Sequence, residues 1–147
     1  MSHNPAPIDI LLVEDNLGDV ELCRDALAHA RIANRLAVVR DGDEALRFLR
    51  RTDEHAEAIR PGLVLLDLNL PGLSGWEVLE EMKRDPVLTV VPVIVLTTSH
   101  READVLRSYA LHAAAYVPKP HLQSEFIDAI RAIEGFWLTV VRLPPDR

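Results

Sequence analysis

The 147-residue sequence predicts an α/β fold: a doubly wound, five-stranded parallel sheet with five helices on its two faces, three layers in all. Apolar runs rich in β-branched residues recur along the chain, and between them apolar residues fall at helical spacing. Two of the runs, Leu63 to Leu66 and Val93 to Leu96, are apolar at every position, as in parallel strands covered on both faces. Strict alternation of strand and helix with short connections implies right-handed crossovers and helices on both sides of one sheet.

The first strand is Ile8 to Val13, followed by a helical face of Val20, Cys23, Leu27 and Ala30. Leu36 to Val39 form the second strand, with Ala45, Phe48 and Leu49 marking its helix. Pro61-Gly62 breaks the chain before the third strand, Leu63 to Leu66. The third helix carries Val78, Leu79 and Met82 and stops at Asp85-Pro86. A fourth apolar run extends from Val90 to Leu96, with Pro92 ahead of its core, and leads to a helix marked by Val105, Leu106 and Ala110. Tyr116 and Val117 mark a short fifth strand, and Phe126, Ile127, Ile130, Ile133 and Trp137 the last helix. One domain over residues 8–137 is expected, with an N-terminal extension at 1–7 and a tail at 138–147.

Composition narrows the function. Sixteen Lys and Arg against 23 Asp and Glu give a net charge of −7, which opposes the counterion release that drives nucleic-acid binding, so no DNA partner is expected. The one cysteine, Cys23, provides neither a disulfide nor a thiolate-rich metal site and fits a reducing, cytoplasmic setting. No apolar run is long enough to span a bilayer, and residues 1–7 do not resemble a signal peptide.

In an open doubly wound sheet, ligands bind at the carboxyl ends of the strands. Those ends carry Glu14-Asp15, Asp67 followed by Leu68-Asn69, Thr97-Thr98-Ser99, and Lys119. Any one of these has an ordinary structural reading: Asp15 or Asn16, for example, suits a helix cap. Carboxylates gathered at adjacent strand ends are different, because like charges at close range are costly without a cation. Hard oxygen donors with no adjacent histidine suit Mg²⁺, which bridges carboxylate to phosphate. Lys119, one of two lysines in the chain, lies between Pro118 and Pro120, which restrict its backbone. With a metal opposite, its ammonium and the Thr97 hydroxyl are placed to receive a phosphoryl group, which leaves Asp67 as a candidate nucleophile.

Residues 8 to about 135 resemble the receiver domains of two-component response regulators. The resemblance rests on Ile10-Leu11-Leu12-Val13-Glu14-Asp15-Asn16, Asp67-Leu68-Asn69-Leu70-Pro71-Gly72-Leu73-Ser74-Gly75, Leu96-Thr97-Thr98-Ser99 and Tyr116-Val117-Pro118-Lys119-Pro120, in that order. It implies a flavodoxin-like sheet in the order 2-1-3-4-5 and a phosphoryl group accepted by Asp67 from a histidine kinase. Glu14, Asp15, Asp67 and the backbone carbonyl of Asn69 would hold Mg²⁺ or Mn²⁺. Thr97 and Lys119 would bind phosphoryl oxygens, with Thr97 and Tyr116 acting as the switch pair. The likeness also implies a cis bond at Lys119-Pro120, restricted access beside Thr98, and a dephosphorylation rate tuned by Asn69 and Ser99.

Ser108-Tyr109-Ala110-Leu111-His112-Ala113 and the stretch Glu134 to Pro144 look like the small regulators paired with bacterial phytochrome histidine kinases. That narrower likeness implies a photoreceptor kinase as partner and a homodimer in which the tail takes part. Phe136, Trp137, Leu138, Val140, Val141 and Leu143 are the candidate interface residues. A phosphorylation-independent scaffold is one alternative. A second is an aspartyl-phosphate hydrolase, opposed by Asn69 standing where such enzymes usually place a second Asp. A flavin or nucleotide site is opposed by the acidic pair after the first strand, where a glycine-rich phosphate loop would be needed. The six histidines have no metal-ligand spacing and are expected to be surface or packing residues, although His100 and His121 fall near the strand-end groups.

Overall fold

A computed structural model describes residues 7–29, 33–97 and 102–118. The elements are β1 (Ile8–Val13), α1 (Leu17–His29), β2 (Asn34–Val39), α2 (Gly42–Arg50), β3 (Leu63–Asp67), α3 (Gly75–Arg84), β4 (Val93–Thr97), α4 (Glu102–Ala110) and β5 (Ala115–Pro118). All strand pairs are parallel, in the expected order β2-β1-β3-β4-β5. The last predicted helix, Lys119, the Lys119-Pro120 bond and the tail lie outside the described residues.

Alternate residues of the central strands divide into two cores. Leu11, Val13, Val64, Leu66, Val93 and Val95 pack against Ala45, Leu49, Val78, Leu79 and Met82 of α2 and α3. On the other face, Ile10, Leu12, Leu65, Ile94 and Leu96 pack against Val20, Cys23, Ala26 and Leu27 of α1. Every residue of β3 and β4 is buried, which is why these strands read as unbroken apolar runs. At about 1.5–3 kcal/mol for each fully buried aliphatic side chain, the central strands are strongly anchored.

Helix starts are fixed locally. Asp41 accepts the Glu44 amide at 2.8 Å and caps α2. Ser74 and Glu77 form a reciprocal capping box at the head of α3. Among the described residues no helix is long and apolar enough to cross a membrane.

Two boundaries differ from expectation. β2 starts at Asn34, before its apolar run, because backbone pairing with β1 continues to the Ile8 register. The fourth run does not begin as strand. Leu88–Val90 form a 3-10 turn, Val90 is 76% exposed, and β4 starts only after Pro92. The Asp85 side chain accepts the Val87 amide at 2.8 Å, and its carbonyl accepts the Thr89 amide, also at 2.8 Å. These bonds, and the donor missing at Pro92, outweigh the β propensity of the valines.

Candidate functional site

Three strand ends converge. Glu14 follows β1 and continues its ladder, donating its amide to the Val39 carbonyl at 3.0 Å. Its side chain is buried, with Oε2 accepting the Asn16 amide at 3.2 Å and Oε1 shut off from solvent. Asp15 is exposed. Of the two residues that suited a cap, Asn16 performs that role: its Oδ1 accepts the Asp19 amide at 3.0 Å, leaving the Asp15 carboxylate to face the cluster. Asp67 ends β3 at 2% exposure, and its Oδ1 accepts the Asn69 amide at 3.0 Å. Thr97, equally buried, ends the neighbouring β4.

One carboxylate oxygen from each of Glu14, Asp15 and Asp67 lies within 4.8 Å of the others. At that distance, two unit charges repel by about 3 kcal/mol at an effective dielectric of 20. The donor set is all oxygen, and Cys23 is buried within the α1 core. These residues fit a hard divalent cation, and the lysine that the sequence supplies for the same rim, Lys119, lies outside the described residues. Tyr116 sits in β5 opposite Val95, half-buried against the core beneath α2 and α3.

A second cluster, Glu44, Glu54 and His55, has the same oxygen and nitrogen spacing. The Glu54 charge is met internally. Arg47 donates to both Glu54 oxygens, at 2.9 and 3.0 Å, and His55 Nε2 lies 2.9 Å from Glu44 Oε2. A dication there would displace an arginine, so this cluster is a structural tie between α2 and the 3-10 turn at Asp53–His55.

Sequence reasoning missed the supports around the strand ends. Gly42 lies against the backbone of Leu73, and Gly75 against that of Asp67 and Leu68. The Arg107 guanidinium stands 4.4 Å from the Trp76 ring centroid and links α4 to the start of α3. Only the capping box left a local signature, Ser74-x-x-Glu77.

A sheet in this order with carboxylates at its first and third strand ends is the arrangement expected of a receiver domain. The chain belongs to the response regulator receiver domain family, which it matches over residues 10–131. It is 45% identical over 141 residues to response regulator Rcp1 of Synechocystis sp., covering 96% of this chain and 95% of that protein. The Mn²⁺-bound form of Rcp1 superposes with a TM-score of 0.78 at 45% identity, covering 94% of this chain and 99% of that one. The phosphorylated cyanobacterial phytochrome response regulator RcpA also gives a TM-score of 0.78, at 47% identity and 90% and 95% coverage.

Proposed function

We propose that this receiver is a phosphorylation switch in which Asp67 takes a phosphoryl group from a histidine kinase, with a phytochrome photoreceptor as the upstream kinase. The observation that carries this reading is the convergence of Glu14, Asp15 and Asp67 within 4.8 Å, on a rim that Thr97 shares. The likeness to RcpA, a phytochrome response regulator with a phosphorylated structure, supports the choice of chemistry and of kinase class. Rcp1, which has a Mn²⁺-bound form, supports a divalent cation, Mg²⁺ or Mn²⁺, held by the three carboxylates and the Asn69 carbonyl.

In the transfer, an Asp67 carboxylate oxygen forms a bond to phosphorus while the bond from phosphorus to the donor imidazole nitrogen breaks. The freed nitrogen is left as neutral imidazole or takes a proton from solvent. The Asn69 amide, 3.0 Å from Asp67 Oδ1, orients the carboxylate so that one oxygen is held and the other is presented. The Thr97 hydroxyl and the Lys119 ammonium are assigned to the phosphoryl oxygens, where spread negative charge needs fixed donors. When bound, a divalent cation would neutralise the carboxylate cluster and the incoming phosphoryl group. Inward movement of Thr97 toward the phosphoryl group opens space for Tyr116, and this couples the site to the α4–β5 surface.

Within this reading residues 8–137 are the switch domain, the setting is cytoplasmic, and the 138–147 tail supplies a homodimer surface through Leu138, Val140, Val141 and Leu143 together with Phe136 and Trp137. All six of those residues lie outside the described residues. The test is intact mass after incubation with acetyl phosphate, with and without Mg²⁺. One Mg²⁺-dependent phosphoryl group is expected on the native chain and none on Asp67→Asn. Absence of both that adduct and beryllofluoride binding would move the protein to the scaffold reading.

A further inference from the structure

We infer that Gly42, at the start of α2, is a positioning residue for the strand-end site: its contact with Leu73 sets where the 68–74 loop, and with it the Asn69 carbonyl, can lie. The inference rests on the reading of that loop as part of the metal site and adds a residue that touches neither metal nor phosphoryl group.

Gly42 is buried, and a Cβ added to it would overlap the carbonyl oxygen of Leu73 while standing 2.9 Å from the Leu73 Cβ and 3.0 Å from its carbonyl carbon. The obstacle is largely backbone, so no side-chain rotation relieves it. Glycine is required here for close approach between α2 and the loop. One residue earlier in the loop, Gly72 takes φ +70°, and a Cβ there would meet Asp43 Oδ2 at 3.2 Å. The first turn of α2 therefore touches the loop at two adjacent places.

The loop cannot recede from α2 at its roots. A Cβ on Gly75 would overlap the Asp67 carbonyl oxygen and stand 2.6 Å from the Leu68 Cα. Leu68 is buried and donates its amide to the Leu96 carbonyl at 3.3 Å, while the Gly75 amide donates to the Leu68 carbonyl at 3.2 Å. α2 is held in turn by its Asp41 cap and by buried Ala45, Leu46 and Leu49. A side chain at position 42 would push on Leu73 and through it on residues 69–73, the stretch that contains the Asn69 carbonyl. Displacement of about 1 Å at a reacting centre can cost about a hundredfold in rate.

The test is Gly42→Ala beside Leu49→Ala, which loosens the same helix near its opposite end. Mn²⁺ affinity and the rate of Mg²⁺-dependent phosphorylation by acetyl phosphate are measured at temperatures where both variants are fully folded. We expect Gly42→Ala to slow phosphorylation by about ten- to a hundredfold and to weaken Mn²⁺ binding, with Leu49→Ala close to native. Native behaviour of Gly42→Ala, or an equal loss in Leu49→Ala, overturns the inference. If Gly42→Ala does not fold, amide chemical shifts of the native chain decide: Mg²⁺ with beryllofluoride is expected to move the Gly42 and Asp43 signals, and unmoved signals overturn the coupling. A native chain that binds no Mn²⁺ and takes no phosphoryl group fails earlier, at the site reading, and takes the inference with it.

Discussion

Among the described residues carboxylates crowd in two places, and the two differ in what surrounds the charge. Glu44, Glu54 and His55 sit beside Arg47, which donates to both oxygens of Glu54, so that cluster ties an exposed turn to α2. At the strand ends, Glu14 and Asp67 are both nearly inaccessible, and with Asp15 they form an all-oxygen donor set that fits a hard divalent cation. The first arrangement is settled within the chain and adds stability. The second sets like charges side by side, a repulsion to which each of the three carboxylates contributes. Removing a carboxylate should therefore have opposite signs in the two places.

The largest effect belongs to Asp67→Asn. Phosphorylation by acetyl phosphate should be lost completely, while the metal-free protein becomes more stable by about 1–3 kcal/mol, because one member of a repelling set is neutralised without a change of shape. Chemical denaturation without divalent ions measures the second part, and an Asp67→Asn protein less stable than native would remove the basis of the comparison. Next comes Glu14→Gln. The amide keeps an acceptor for the Asn16 amide but removes a charge from the cluster. Mn²⁺ affinity should fall at least about tenfold, equivalent to 1.4 kcal/mol, and apo stability should rise. Calorimetric titration showing native affinity would exclude Glu14 from the metal shell.

The contrast was only half legible in the sequence. Strand ends are marked by where apolar runs stop, so Glu14, Asp15, Asp67 and Thr97 could be brought to one rim once the alternation of strand and helix had implied a parallel sheet. The internally compensated cluster could not be read that way. It depends on Arg51 and Asp53 adopting φ of 57° and 53°, a reversal for which neither residue type is a strong signal. Nor could the contact of Gly42 with Leu73 be foreseen, because it is a tertiary approach between segments with no shared local pattern. Valine-rich sequence misled at Val90 for the opposite reason: a local Asp85 turn overrode β propensity.

In the compensated cluster effects are smaller and reversed in sign. His55→Ala removes a 2.9 Å bond to Glu44 and a ring contact with Phe48 at 5.1 Å between centroids. A loss of about 1 kcal/mol is expected, with metal affinity and phosphorylation at native values. A change in Mn²⁺ affinity on this substitution would mean that the two clusters are not independent.

The smallest effect should be seen at Glu54, and its sign is set by titration. The hydrogen bond from Arg47 holds the Glu54 carboxyl below its ordinary value, with a backbone hydrogen bond adding to the shift. A carboxyl lowered in the folded state contributes stability that is complete above its unfolded pKa and is lost as pH falls through the folded one. Glu54→Gln should therefore lower Tm slightly at neutral pH, since the pair is solvent-exposed and screened. Below the usual carboxylate range the two proteins should converge, because the native side chain is then also uncharged. Glu14→Gln, by contrast, should raise apo Tm at neutral pH. Melting curves for both variants from pH 7 down to the acid transition test the opposition directly. Parallel native and Glu54→Gln curves throughout would show that the Arg47 pair contributes nothing that titrates.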